Sequence, residues 1–199
     1  MLSVPYLVMA YFLGSIPTAY LAGKIKGIDI RQHGSGNVGA TNAFRVLGRG
    51  TGIAVFVLDC LKGALPVWLF KASSVGALAP SSTVLAVGLA ALLGHVFTPF
   101  LGFKGGKGIA TGAGVLLAGF PGLFLIAMAV WVLLFQFTRI VSISSLGAAV
   151  ALTVASFVLG YNLKTCLMAA GLTAFIFWTH RSNISRLVRG EEGMVNRDK

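Results

Sequence analysis

The sequence predicts an all-α integral membrane protein, and three observations carry that prediction. Of its 199 residues 56% are hydrophobic and 11% charged, with a mean hydropathy of +0.87. A soluble domain carries about 25% charged residues, so lipid must be the solvent for most of this chain. The apolar residues fall in runs long enough to cross a bilayer, whose hydrocarbon core is about 30 Å thick. Glycine is abundant, at 26 residues, which suits helices that must approach closely where lipid gives no hydrophobic drive between them.

The segments follow in order. Residues 5–22 form the first span. No basic residue precedes Lys24 and no small-residue cleavage site follows the apolar run, so it reads as a retained span rather than a signal peptide. A basic polar loop over 23–50 leads to a second span, 51–70, interrupted by Asp59 and Lys62. These lie three residues apart and are expected to pair with each other. Pro80 and its neighbouring serines mark a turn before the third span, 84–100, and a glycine-lysine loop covers 102–108. Residues 108–138 carry no charge. As one helix they would run roughly 46 Å at about 1.5 Å per residue, too long for one crossing. Phe120-Pro121-Gly122 is a natural break, giving a short crossing at 109–119 and a normal one at 123–137. Residues 141–160 and 163–179 complete seven transmembrane helices.

Charge sets the orientation. With seven spans, Lys24, Lys26, Arg31, Arg45, Arg49, Lys104, Lys107, Arg139, Arg181, Arg186, Arg189, Arg197 and Lys199 share one side, 13 of the 16 basic residues. Six spans would place Arg139 opposite Lys104. The positive-inside rule then puts the N-terminus outside and the C-terminus in the cytoplasm. The net charge of +11 would suggest nucleic acid in a soluble protein. Here it reads as that bias, together with anionic lipid headgroups and an anionic substrate. One membrane-embedded domain is expected over 1–199, with 190–199 a mobile cytoplasmic tail. Cys60 and Cys166 lie in apolar stretches and read as small hydrophobes, not as a disulfide.

Three polar segments carry the chemistry. The first is His33-Gly34-Ser35-Gly36-Asn37-Val38-Gly39-Ala40-Thr41-Asn42. It contains G-x-G-x-x-G, but the acidic residue about 20 positions on, Asp59, lies inside a span, which excludes a dinucleotide fold. Its glycines still let backbone N–H groups converge on an anion. Ser35, Asn37, Thr41 and Asn42 add neutral donors, and Arg45 lies one turn into an expected short helix. The second segment runs from Gly94-His95 to Phe103-Lys104-Gly105-Gly106-Lys107-Gly108. It resembles a Walker A loop but is one residue short and lacks the Ser or Thr after Lys107. Two lysines among glycines ahead of a helix start make a second anion site. The third, from Thr179-His180 to Glu191-Glu192, places His180 and Asn183 on one helix face with Leu187, and Arg186 and Arg189 read as an amphipathic cap on anionic lipid. Three histidines and five acidic residues, scattered, form no metal site. The G-x-S-x-G elbow is absent because position 33 is His. An anion transporter or channel is the alternative class, since glycine loops and broken helices suit it too. Inverted repeats, however, would place the two glycine loops on opposite faces.

Taken together, in order, the three segments resemble the PlsY family, bacterial acyl-phosphate:glycerol-3-phosphate acyltransferases, over nearly the whole chain. At one point the chain departs from the pattern. Many members place proline directly after the aromatic of the second motif, and here Thr98 intervenes between Phe97 and Pro99, which leaves the local bend open. The resemblance implies a seven-helix enzyme of the bacterial inner membrane with its active site on the cytoplasmic side. It would acylate the 1-hydroxyl of glycerol 3-phosphate, release lysophosphatidate and inorganic phosphate, use no cofactor, and couple to the enzyme that makes acyl phosphate. It implies an acyl-phosphate cradle at Ser35, Gly36, Asn37, Val38 and Gly39, with Thr41 and Asn42 beside it. Glycerol 3-phosphate would meet Arg45, Lys104, His180 and Asn183, with Ser142 a further candidate. His95, Gly105, Gly106 and Lys107 would support the second loop. No catalytic residue is assigned. Membrane acyltransferases that use thioesters often carry His-x4-Asp, but the residues five after His33, His95 and His180 are Val38, Phe100 and Ser185. The expectation is therefore substrate-assisted transfer from an already activated anhydride, with His180 as the competing general base.

Overall fold

The computed structural model describes residues 3–194; residues 1–2 and 195–199, the latter including Arg197 and Lys199 of the expected tail, lie outside the described residues. The described residues hold helices and turns and no strand. The chain divides into two compact units, Met1–Phe120 and Pro121–Lys199.

The first unit carries α1 (Val4–Gly14), α2 (Thr18–Ile25), α3 (Ala40–Leu47), α4 (Arg49–Ala72), the single turn α5 (Ser74–Ala77), α6 (Ser81–Val96) and α7 (Ile109–Gly119). The expected first span is in fact broken. Pro17 has no N–H and interrupts the ladder, so α1 stops at Gly14 and α2 starts at Thr18. The carbonyls stranded there find side chains: Thr98 Oγ1 donates to Ser15 O at 2.6 Å and Lys62 Nζ to Ile16 O at 2.7 Å. The third expected span likewise ends as an α-helix at Val96 and continues as a 3₁₀ turn, Pro99–Leu101.

Two seams hold this unit together, α4 against α7 and α1 against α6. Both are built on glycine. A Cβ on Gly63 would lie 2.1 Å from Thr111 O, and one on Gly114 would lie 1.9 Å from Cys60 O. Gly14 and Gly94 stand in the same relation to Ala91 O and Tyr11 O. The backbones therefore touch directly, as membrane helices with small residues do. Along α4 the polarity is inside out. Leu61 and Trp68 are 55% and 61% exposed, while Asp59 and Lys62 are 1% and 7% exposed. An apolar exterior around buried charge fits lipid as the solvent.

The second unit carries α8 (Pro121–Thr138), α9 (Val141–Val158), α10 (Leu163–Thr179) and α11 (Arg181–Val188). Its first helix opens on Pro121, whose missing N–H costs nothing at a first helical position, so the expected break after Phe120 is where the helices part. The α8–α9 connection turns on Arg139, which holds a left-handed φ of 58°. Trp131 stacks on Phe135 along α8 and its Nε1 donates to Ser145 Oγ of α9 at 3.3 Å. Thr173 Oγ1 on α10 donates to Ala149 O on α9 at 2.7 Å.

Five helical stretches are long and apolar enough to cross a membrane: Val4–Ile25, Arg49–Ala72, Ser81–Leu101, Pro121–Thr138 and Val141–Val158. Ile109–Gly119 and Leu163–Thr179 are apolar but shorter. Cys60 and Cys166 are free thiols.

Candidate active site

The first loop is held open from beneath and from within. Beneath it, Val38, Ile30, Ala43, Leu47 and Val55 form a small apolar core with Ala19. Val38 is thus a peg whose side chain points into this core, leaving only its main chain to face a ligand. Within the loop, Asn42 is the organiser. It is 1% exposed. Its Oδ1 accepts from the Ser35 amide at 2.9 Å, and its Nδ2 donates to Ile30 O and His33 O at 3.2 and 3.0 Å. The side-chain amide expected among the ligand-facing donors is committed to the loop itself. Gly34 and Gly36 adopt φ of 61° and 69°, the left-handed region glycine reaches without steric cost. Gly34 also has no room for a side chain, because a Cβ would lie 2.4 Å from Asn42 Oδ1.

The loop runs straight into α3, whose N-cap Gly39 contributes no side-chain cap. The amides of Ala40 and Thr41 at its start thus have no intrahelical acceptor and lie at the positive end of the helix dipole. One turn apart on this helix, Thr41 and Arg45 are exposed, whereas Ala43 and Leu47 are buried. The expected short helix therefore exists and presents Arg45 on the open side. At its other end Lys26 Nζ donates to Leu47 O at 2.8 Å, a cation on the negative end of the dipole. Arg31 pairs with Asp29 through Nε and Nη2 at 2.9 and 2.6 Å and lies 4.8 Å from the Tyr20 ring centroid. Hydrogen bonds from Arg31 hold the Asp29 carboxyl down to about 2.

The second loop is tied back to the end of α6. Gly105 N–H donates to Val96 O at 2.8 Å, Gly106 N–H to His95 O at 3.2 Å, and Phe103 N–H to Thr98 O at 2.8 Å. Gly102 and Phe103 both take left-handed φ, near 61° and 62°. Lys104 is exposed at the tip and Lys107 is half-buried on the return. Gly105 and Gly106 must be glycine, since a Cβ would lie 1.9 Å from His95 O or 2.2 Å from His95 Nε2 respectively. Thr98, the residue that departs from the family pattern, sets the bend through its hydroxyl bond to Ser15 O, while Tyr11 Oη donates to Phe97 O at 2.7 Å.

In the second unit, Ser142 and Asn183 are brought together by a residue that the sequence analysis did not select. Glu192 Oε1 accepts from Ser142 Oγ at 2.8 Å and from Asn183 Nδ2, and its Oε2 accepts from Arg186 Nε at 2.7 Å. Arg186, expected on lipid, is thus paired. Glu192 falls in the stretch from Gly190 treated as a mobile tail, yet its side chain is nearly buried and the next residue back is bonded by Glu191 N–H to Arg186 O at 2.8 Å. Burial opposes ionisation of Glu192. Hydrogen bonds from Asn183, Arg186 and Ser142 outweigh it and hold the carboxyl below the usual range. The signal that could have found this residue was an acid just past a short helix that carries an Asn and a basic residue three positions apart, Asn183 and Arg186.

His180 joins α10 to α11 and is 3% exposed. Its Nδ1 lies 2.8 Å from Ile176 O and 3.2 Å from Thr179 Oγ1. A carbonyl can only accept, so the neutral ring carries its proton on Nδ1 and its lone pair on Nε2. The Ile176 carbonyl and the Thr179 hydroxyl thus orient the ring from its Nδ1 side.

A sequence model of the glycerol-3-phosphate acyltransferase family matches residues 4–190, spanning both units. Among curated proteins named glycerol-3-phosphate acyltransferase, that of Endomicrobium trichonymphae is 42% identical over 98% of this chain and 96% of its own length. That of Aquifex aeolicus is 44% identical over 93% and 95%, and that of Trichlorobacter lovleyi 47% over 92% of each. Two crystal structures of PlsY, an integral membrane glycerol 3-phosphate acyltransferase, also match. The glycerol 3-phosphate form has a TM-score of 0.91 and the lysophosphatidic acid form 0.88, each at 40% identity over 98% of this chain and 96% of the other. This chain therefore belongs to the glycerol-3-phosphate acyltransferase family.

Proposed function

We propose that the acyl donor is an acyl phosphate and that the chain transfers its acyl group to the 1-hydroxyl of glycerol 3-phosphate, releasing lysophosphatidate and inorganic phosphate. The observation that carries this reading is the first loop: glycines in left-handed conformations feed an uncapped helix N-terminus whose exposed face bears Thr41 and Arg45. Such a cradle of main-chain amides suits a phosphate, and a phosphate is what an acyl-phosphate donor must expel. Main-chain groups of Gly36, Val38 and Gly39, with Ser35, Asn37 and Thr41, hold the donor, and Asn42 keeps the cradle in shape. Arg45, Lys104, Ser142, His180 and Asn183 are assigned to glycerol 3-phosphate. His95, Gly105, Gly106 and Lys107 support the second loop.

The glycerol oxygen attacks the acyl carbonyl carbon, the bond from that carbon to the bridging oxygen breaks, and phosphate leaves with that oxygen as an anion stabilised by the cradle. The hydroxyl proton passes to a substrate phosphate oxygen, so the protein supplies position and electrostatics. The chain acts as one membrane-embedded domain with seven spans, N-terminus outside and C-terminus in the cytoplasm. The reaction lies on the cytoplasmic face of a bacterial inner membrane, next in sequence to the enzyme that makes acyl phosphate. Purified protein in lipid, given glycerol 3-phosphate and palmitoyl phosphate, should yield lysophosphatidate and phosphate in equal amounts. Palmitoyl-CoA should be inert. No product from palmitoyl phosphate, or efficient use of palmitoyl-CoA, overturns the proposal.

A further inference from the structure

Asp59 and Lys62 form an ion pair at 2.7 Å between side chains 1% and 6% exposed, in the middle of an apolar helix. A charge so placed is costly unless fully satisfied, and replacing such pairs by apolar residues is often harmless. A pair that merely neutralised itself within one helix would need no further partners. This one has them. Asp59 Oδ1 also accepts from Thr18 Oγ1 at 2.5 Å, and Lys62 Nζ donates to Ile16 O, the carbonyl stranded at the Pro17 break. On its other side Asp59 Oδ1 lies 3.7 Å from His95 Nδ1. That nitrogen is buried and has no hydrogen-bond partner among the described residues, and the Asp59 carboxylate faces it.

The far edge of the same imidazole faces the second loop. Its Nε2 occupies the space that any side chain at position 106 would need. The amides of Gly105 and Gly106 bond to the carbonyls of Val96 and His95. A row of buried polar groups thus runs from the broken first helix to Asp59, steps 3.7 Å across to His95, and meets Gly106 through close packing of the ring, inside one unit of the chain. The loop that it supports carries Lys104 and Lys107.

We propose that Asp59 and Lys62 are positioning residues: through the His95 ring they fix the Gly105–Gly106 segment and so the aim of the second loop at its anion. This rests on the reading of that loop as a substrate-binding loop. The pair touches no substrate. It sets which way the imidazole faces, and the imidazole sets where the glycines lie.

The test uses the full-length protein in lipid. Wild type is compared with Asp59→Leu/Lys62→Met, Asp59→Asn, His95→Gln and Asp59→Asn/His95→Gln. The apolar double variant keeps the side-chain branching at 59 and removes both charges together, so no buried charge is left unpaired, and it should still fold, with a melting temperature lowered by loss of the bonds to Thr18 and Ile16. The expected result is a KM for glycerol 3-phosphate raised 10-fold or more, with kcat lowered less, and faster deuterium uptake confined to residues 103–108. The Asp59→Asn/His95→Gln variant should be no worse than its worse single, because both act on one element. A double apolar variant with wild-type KM and wild-type loop exchange overturns the proposal, as do strictly additive effects of Asp59→Asn and His95→Gln. If the Asp59 variants do not fold, His95→Gln decides alone: a raised KM with faster loop exchange supports the proposal, and unchanged values overturn it. Wild type that turns over no acyl phosphate would refute the proposed reaction instead, and the exchange measurement would still read the present inference.

Discussion

The Ser35 amide donates to the side-chain oxygen of Asn42 at 2.9 Å, closing the first loop across seven residues. Because the same side chain also donates to two loop carbonyls, Asn42 does for this loop what a backbone ladder does for a strand. Removing it leaves buried main-chain groups unpaired, at about 1–3 kcal/mol each. Asn42→Ala should therefore cost about 3 kcal/mol of stability and most of the activity. Asn42→Asp should be no better, since it sets a carboxylate oxygen against the carbonyls of Ile30 and His33. Thermal melts and initial rates of the two variants check this, and an active, stable Asn42→Asp would show the amide to be dispensable.

Arg45 and Lys104 are exposed cations beside the two glycine loops. Charge-assisted bonds to phosphate oxygens are the stronger kind, so Arg45→Ala and Lys104→Ala should each lose about 2–4 kcal/mol of transition-state binding, about 30- to 1000-fold in kcat/KM. A guanidinium fork cannot be copied by an ammonium, so Arg45→Lys should remain poor. Near-normal kcat/KM in both alanine variants would show the site to be misplaced.

Glu192 joins Ser142, Asn183 and Arg186. Glu192→Gln keeps the shape but loses the charge, and should lower stability by about 1.5–3 kcal/mol, the worth of a hydrogen bond to a charged group. The pH sign follows from its depressed folded-state pKa. The stabilisation is present above the ordinary glutamate pKa and is lost as pH falls through the lower, folded value. Wild type should therefore destabilise on acidification through that window, and the Glu192→Gln curve should be flatter. Parallel melting curves across acid pH would contradict this.

Direct attack predicts no acyl-enzyme. Quenched turnover with palmitoyl phosphate should give no mass shift of one palmitoyl group on Ser35 or any other residue, and His180→Gln should retain a measurable rate. A palmitoylated peptide containing Ser35, formed at a competent rate, would establish a covalent route instead.

The seven-span topology predicts that cysteines placed at the exposed Gln32 and Lys104, in a background lacking Cys60 and Cys166, are shielded from an impermeant thiol reagent in intact cells. One at Leu78, which is 92% exposed between α5 and α6, should be labelled. Equal labelling of all three would exclude this arrangement.

The apolar segments were legible because hydropathy is a summed property that tolerates local error, and the break at Phe120-Pro121 was legible because proline is a strong local signal. The break at Pro17 carries the same signal, and it interrupts the helix inside the first span while Val4–Ile25 remains one stretch long and apolar enough to cross. The loops stood out as candidate anion sites because glycine spacing and nearby donors are visible in one dimension. What was hidden is which donors turn inward. Asn42 and Asn37 look alike in sequence, yet Asn42 lies on the buried face of α3 and organises the loop. Glu192 was hidden for a related reason. A tail residue gains its role only when α11 folds back and presents Asn183 and Arg186 to it. The expected Asp59–Lys62 pair was found, but its reach to His95 depends on two helices far apart in sequence and could not be read from spacing.

The glycine contacts between α4 and α7 have a consequence for motion. Gly63 against Thr111 O and Gly114 against Cys60 O fit only in one register. Sliding either helix by a single residue would drive Lys62, Ala64 or Val115 into a carbonyl. That seam can therefore neither ratchet nor shear during turnover. Whatever breathing admits a long acyl chain and lets a double-charged product go must be taken up by parts held through side-chain hydrogen bonds that can break and re-form, such as those of Thr98 and Asn42. The α4–α7 seam is the fixed frame against which those loops move.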